Sequence, residues 1–95
     1  MSTQIVGVDE KNLLAYFVPM SPEQSRAARA WLDWSQEELA AKASVSQSTV
    51  RDYEKGRRVP IANNLTAMQA ALEAAGIVFV DGAAPGITFS KRKRR

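Results

Sequence analysis

Serine punctuates this chain, and its spacing limits what the middle of the molecule can become. Ser21-Pro22-Glu23-Gln24 and Ser35-Gln36-Glu37-Glu38 each place a hydroxyl three residues before a Gln or Glu. This is the capping-box pattern: the serine oxygen accepts from the amide three residues on, and the longer side chain accepts from the serine amide in return. Pro22 fits the first helical position, where an amide is not needed. Glu37 and Glu38 suit the positive end of a helix dipole. The two starts lie 14 residues apart, and Ser46 offers a third cap 11 residues later. Only short helices with tight connections fit such intervals.

The spacing predicts a first helix to about Asp33, a second to about Ala43 and a third over Gln47–Lys55. Gly56 is a left-handed stop for the third. Arg57-Arg58-Val59-Pro60 reads as a loop. From about Ala62, Leu65, Met68, Leu72 and Ala75 recur at helical spacing with Ala71 beside them, and Gly76 ends this fourth helix. Ile77–Val80 and Ile87-Thr88-Phe89 are short runs of β-formers around Asp81-Gly82-Ala83-Ala84-Pro85-Gly86, which is turn chemistry. The expected fold is mainly α, four helices followed by a C-terminal β-hairpin. The expected organisation is an N-terminal extension at 1–20, a helical domain at 21–76, a hairpin at 77–90 and a basic tail at 91–95.

Composition removes several classes of chemistry. Among 95 residues there is no cysteine and no histidine. Cys/His zinc sites, disulfide frameworks, Ser-His-Asp triads and Cys-His pairs are therefore excluded. The remaining nucleophiles and carboxylates form no arrangement beyond helix caps, so neither an enzyme nor a cofactor is expected. No apolar run approaches the ~18 residues of a membrane span. Met1–Met20 lacks a basic start followed by an apolar stretch, so it does not read as a secretory signal. A soluble intracellular protein is the expectation.

Charge placement says more than its total of +3. Residues 1–90 hold 8 basic and 10 acidic side chains, and the last five residues, Lys91, Arg92, Lys93, Arg94 and Arg95, are all basic. Inside the helical part, residues 42–58 carry a local +3. Two basic zones thus stand in an otherwise mildly acidic chain.

The second and third helices carry the candidate site. Two short helices joined by a three-residue break need a small residue where they cross, and Ala40 is placed for it. Leu39, Val45, Val50 and Tyr53 would lock the angle from inside. The exposed face of the third helix then offers Gln47, Ser48, Arg51 and Asp52. Gln and Arg are suited to bidentate reading of adenine and guanine in the major groove. Asp52 suits orienting a neighbour, or accepting from cytosine. Gln36, Ser46 and Thr49 lie at helix N-termini, where amides and short polar side chains meet phosphates. Lys55, Arg57 and Arg58 follow and can neutralise phosphates. The bland rivals are solvated helix faces, with Arg51 pairing to Glu54, and core packing for Trp31, Trp34, Tyr53 and Met68.

At Trp34-Ser35-Gln36-Glu37-Glu38-Leu39-Ala40, Ser46-Gln47-Ser48-Thr49-Val50 and Tyr53-Glu54-Lys55-Gly56-Arg57-Arg58-Val59-Pro60, the sequence resembles the XRE/Cro family of helix-turn-helix DNA-binding proteins. The resemblance covers roughly residues 21–76. It implies a lambda-repressor-like fold and a homodimer on double-stranded DNA. It also implies that Gln36 grips a phosphate, that Gln47, Ser48 and Arg51 face base edges, and that Arg29 pairs with Glu54. Two departures stand out. Ser44 occupies a turn position usually held by glycine, and a left-handed Ser would cost about 1 kcal/mol relative to Gly. β-forming residues follow the fourth helix where the family often adds a fifth.

The function expected is sequence-specific transcriptional regulation, repression more than activation, at a two-fold related operator. The alternatives are an antitoxin or protein-binding adaptor that autoregulates, and an architectural or excisionase-like factor that bends DNA. A regulatory protein partner is compatible with any of these. Ile77, Phe79, Ile87 and Phe89 are candidate dimer contacts, because a lone two-stranded ribbon needs a covering surface. That surface is either the molecule's own helices or a second copy. Lys91–Arg95 is expected to act as a non-specific DNA arm. The first 19 residues are expected to be a dispensable or regulated extension.

Overall fold

The computed structural model describes residues 19–80 and 85–89. The N-terminal extension up to residue 18, the hairpin turn at 81–84 and the basic tail lie outside the described residues. Four helices run in series, α1 Pro22–Leu32, α2 Gln36–Ala43, α3 Gln47–Glu54 and α4 Ala62–Ala74, followed by strands β1 Ile77–Val80 and β2 Gly86–Phe89. Both capping boxes form. Gln24 and Ser21 exchange bonds of 2.8 and 3.1 Å, and Glu38 and Ser35 exchange bonds of 2.9 and 3.0 Å. The Ser46 hydroxyl caps α3 at the Thr49 amide, 3.1 Å away.

The first three helices also end alike. Asp33, Ser44 and Gly56 are all left-handed, with φ of 61, 58 and 76°. The following amide folds back five residues in each case, from Trp34 to Arg29 O (2.9 Å), Val45 to Ala40 O (3.0 Å) and Arg57 to Asp52 O (2.9 Å). These bonds satisfy carbonyls that a helix end would leave free. Ser44 therefore takes the conformation that a glycine would take, and the turn keeps its form.

Leu39, Ala40 and Ala43 of α2, Val50 and Tyr53 of α3, and Leu65, Met68 and Leu72 of α4 make the core with Ala28 and Ile77. Trp31 and Trp34 are half-buried against it, and Lys42 Nζ sits 5.0 Å from the centre of the Trp34 ring. Met20 belongs to this core as well. Its side chain is buried, its amide donates to Gln69 Oε1 at 2.9 Å, and its carbonyl accepts from the Tyr53 hydroxyl. Met20 thus belongs to the folded domain and not to the extension expected at 1–20.

The hairpin is antiparallel, with Ile77 opposite Phe89 and Phe79 opposite Ile87. Alternation puts these four side chains on one face, and that face turns toward the molecule's own helices. Ile77 is buried, Phe79 and Ile87 are half-buried on the core, and Phe89 stacks on Trp31 with ring centres 3.7 Å apart. Gln24 ties the ribbon down. While its Oε1 serves the α1 cap, its Nε2 donates to Val80 O (2.8 Å) and Gly86 O (2.7 Å). Val78 and Val80 stay exposed on the outer side.

Ser44→Gly should stabilise the protein by about 0.5–1 kcal/mol, since relief of left-handed strain outweighs the added freedom of the unfolded chain. Thermal denaturation should show Tm rising by about 2–8 °C. A fall in Tm would mean that the Ser44 side chain contributes more than its backbone costs.

Candidate nucleic-acid interface

The sequence of α3, Gln47-Ser48-Thr49-Val50-Arg51-Asp52-Tyr53-Glu54, splits into two faces. Val50, Tyr53 and Glu54 are buried. A buried carboxylate is costly unless it is paired and hydrogen-bonded, and Glu54 is both. From α1, Ser25 Oγ donates at 2.5 Å, and Arg29 donates through Nε at 2.9 and 3.2 Å and through Nη2 at 2.7 Å. From α2, Gln36 Nε2 donates at 3.1 Å. Arg29 Nη1 also holds the Trp34 carbonyl at 3.0 Å. Burial pushes the Glu54 pKa up, but the bonds from Arg29, Ser25 and Gln36 and the Arg29 charge outweigh it, and the net shift is downward. The neighbouring Tyr53 phenol is pushed up to about 12, by burial first and then by the charges of Glu23 and Glu54.

The crossing of α2 and α3 is fixed from inside. Ala40 is buried at the junction with Leu39 and Val50, and Val45 packs against them. With that angle set and Glu54 tied to α1 and α2, the opposite face of α3 has one orientation. Gln47, Ser48 and Arg51 are exposed there. Arg51 does not pair with Glu54, the bland alternative, because Glu54 is occupied. Its Nε instead lies 3.5 Å from Asp52 Oδ1, and Arg57 Nη1 approaches the same oxygen at 3.9 Å. Pairs this exposed hold a side chain only weakly, so Arg51 remains free to engage a ligand.

The remaining candidates flank that face. Ser46 Oγ lies 3.1 Å from Ser48 Oγ and 2.8 Å from Thr49 Oγ1, so three hydroxyls cluster at the start of α3. Gln36 is half-buried. Its contact with Glu54 takes one amide hydrogen, leaving the other hydrogen and the oxygen for a second partner. Lys55, Arg57 and Arg58 are exposed at the far end of α3. Lys91–Arg95 lies outside the described residues.

Sequence reasoning missed four residues that fasten the frame: Ser25 and Arg26 bond to Glu54 of α3, Gln24 to the hairpin and Gln69 to Met20. Ser25 and Gln69 are buried polar side chains on otherwise apolar helix faces, and that mismatch was their signal. Gln24 was read only as a cap. Arg26 was read only as charge, yet its Nη1 donates to the Glu54 carbonyl.

Two short helices locked at a small-residue crossing, with a polar exposed face on the second and basic residues after it, form a helix-turn-helix of the DNA-binding kind. The family model described as Helix-turn-helix matches residues 26–74, more than half of the chain. The chain belongs to this family, in its XRE/Cro form, a family of DNA-binding transcription regulators. No curated protein matches the chain. Among the described residues no helix is long and apolar enough to cross a membrane.

Glu54 gives the fold a pH dependence of definite sign. Its folded pKa lies below the unfolded value of about 4.3. Its contribution is therefore complete above that pH and is lost as pH falls through the folded pKa. Urea denaturation between pH 6 and 2 should show this acid loss, and Glu54→Gln should reduce it. Arg29→Ala should cost about 3–5 kcal/mol at neutral pH, because it leaves a buried charge uncompensated. A cost below about 1 kcal/mol would show that Ser25 and Gln36 suffice alone.

Proposed function

We propose that this protein is a repressor that binds a two-fold related operator as a homodimer, with Gln47, Ser48 and Arg51 reading base edges in the major groove. The observation that carries this reading is the two-faced α3. Its buried face is anchored through Glu54 to two other helices, and its polar side chains point away from the core. An anchored helix presents Gln and Arg donors in fixed register to adenine and guanine. Asp52, between Arg51 and Arg57, pairs only weakly with either and leaves both guanidinium groups able to engage DNA.

Gln36, Ser46, Thr49, Lys55, Arg57 and Arg58 are proposed phosphate ligands that hold the helix in the groove. Lys91–Arg95 adds sequence-independent affinity. An eight-residue helix spans few base pairs, so a second copy supplies the other half of the recognised sequence. Ile77, Phe79, Ile87 and Phe89 are engaged within the monomer, which leaves the outer valines of the hairpin, Val78 and Val80, to that copy. Repression follows from occupancy of a promoter in a cytoplasmic setting, without a cofactor or a catalytic step.

Arg51→Ala should weaken binding to the cognate site by about 1–3 kcal/mol and relax preference at one base position per half-site. Arg57→Ala should weaken all sequences nearly alike and lower the salt dependence. Fluorescence anisotropy on cognate, singly substituted and unrelated duplexes measures both. If Arg51→Ala left the base preference intact, α3 would not be reading through that side chain.

A further inference from the structure

Val59 and Ile61 are the most exposed large hydrophobic residues described, at 77% and 69%, while the next, Val78, is at 42%. They flank Pro60 on the loop from α3 to α4, and no role given above uses them. Beside them lies an apolar groove of about 250 Å³ whose walls include Pro19, Met20, Tyr53, Arg58, Val59 and Leu65. Sites for small molecules run to ~300–1,000 Å³, so this groove suits one or two side chains. A solitary apolar residue on a surface needs no explanation, but two beside an apolar groove make a contiguous patch, which marks a binding surface.

The chain itself brings an apolar segment to this place. Pro19, the first residue described, stands in the groove wall. The six residues before it, Leu13-Leu14-Ala15-Tyr16-Phe17-Val18, are the longest apolar run in the sequence and lie outside the described residues. Six residues reach at most about 20 Å, while Ile61 is only two residues along the loop from Val59 in the groove wall. The point of entry is fixed, because the Met20 amide donates to Gln69 and the Met20 carbonyl accepts from Tyr53. Docking within the chain therefore proceeds at an effective concentration on the order of mM. Charge fits as well. Asp9 and Glu10 precede the apolar run, and Arg57 and Arg58 are exposed at the start of the loop.

We infer that Leu13–Val18 docks on this surface of its own chain, seating a large side chain in the groove and covering Val59 and Ile61. The occupant is one segment of the same molecule, brought there by its apolar side chains and by its attachment at Pro19. Residues 13–18 then form part of the domain's cover and are not a dispensable leader. The inference stands apart from the question of which α3 side chains meet DNA.

Limited proteolysis of the full chain tests this, with chymotrypsin, which cuts after Leu, Tyr and Phe, and a free peptide of residues 1–19 as the reference. Cleavage within 13–17 should be at least about tenfold slower in the protein than in the peptide, because a docked segment must open before it is cut. Val59→Ser combined with Ile61→Ser should return the rate toward that of the peptide. Both side chains are exposed, so the helices remain, which circular dichroism checks. Should that double variant fail to fold, Phe17→Ser reads the same contact from the other side and should speed cleavage after Leu13 and Leu14. Protection should be the same from about 1 to about 100 μM protein, since docking within one chain does not follow mass action. The proposal is overturned if the segment is cut at the peptide's rate, or if the folded double variant or Phe17→Ser keeps full protection. It is equally overturned if protection rises with concentration, which would place the segment of one copy on the surface of another.

Discussion

One buried carboxylate holds this molecule in its working shape. Glu54 lies on α3, but its partners come from α1 and α2. Three helices too short to be stable alone therefore share one point where geometry must be right for all of them. A purely apolar core would tolerate small rotations of α3. A carboxylate that accepts five bonds of defined direction does not, because each bond lost leaves a buried polar group unsatisfied. The exposed face of α3 inherits its orientation from that constraint.

Around this point, the helices are ended as firmly as they are begun. Capping boxes start α1 and α2, and left-handed residues close α1, α2 and α3. Gln24 links the first cap to the hairpin, so the ribbon is held by hydrogen bonds as well as by Ile77, Phe79 and the Trp31–Phe89 stack. Met20 enters the same frame through Gln69 and Tyr53. The polar residues inside the molecule join elements far apart in the chain, while the apolar ones fill the space between.

Most of the helical frame was legible in the sequence because caps are local. Ser21, Ser35 and Ser46 announce their helices through residues three positions away, and Gly56 announces a stop. The Arg29–Glu54 pair was legible only through family resemblance, since 25 residues separate the partners. The roles of Ser25, Gln69 and Arg26 were not legible. Each depends on what another helix brings to it, and a polar residue on an apolar face reveals a need without naming the partner. The orientation of the hairpin was ambiguous for the same reason. Its apolar face required cover, and only the packed structure shows that the molecule's own helices supply it.

If the exposed face of the anchored α3 reads base sequence, the duplexes it retains must share a sequence. Selection of bound duplexes from a random pool, using the full chain, tests it most directly. The expected result is an enriched sequence made of two short, two-fold related half-sites whose centres lie one helical turn, ~34 Å, apart. Recovery of duplexes with no enriched sequence, despite measurable binding, would contradict it.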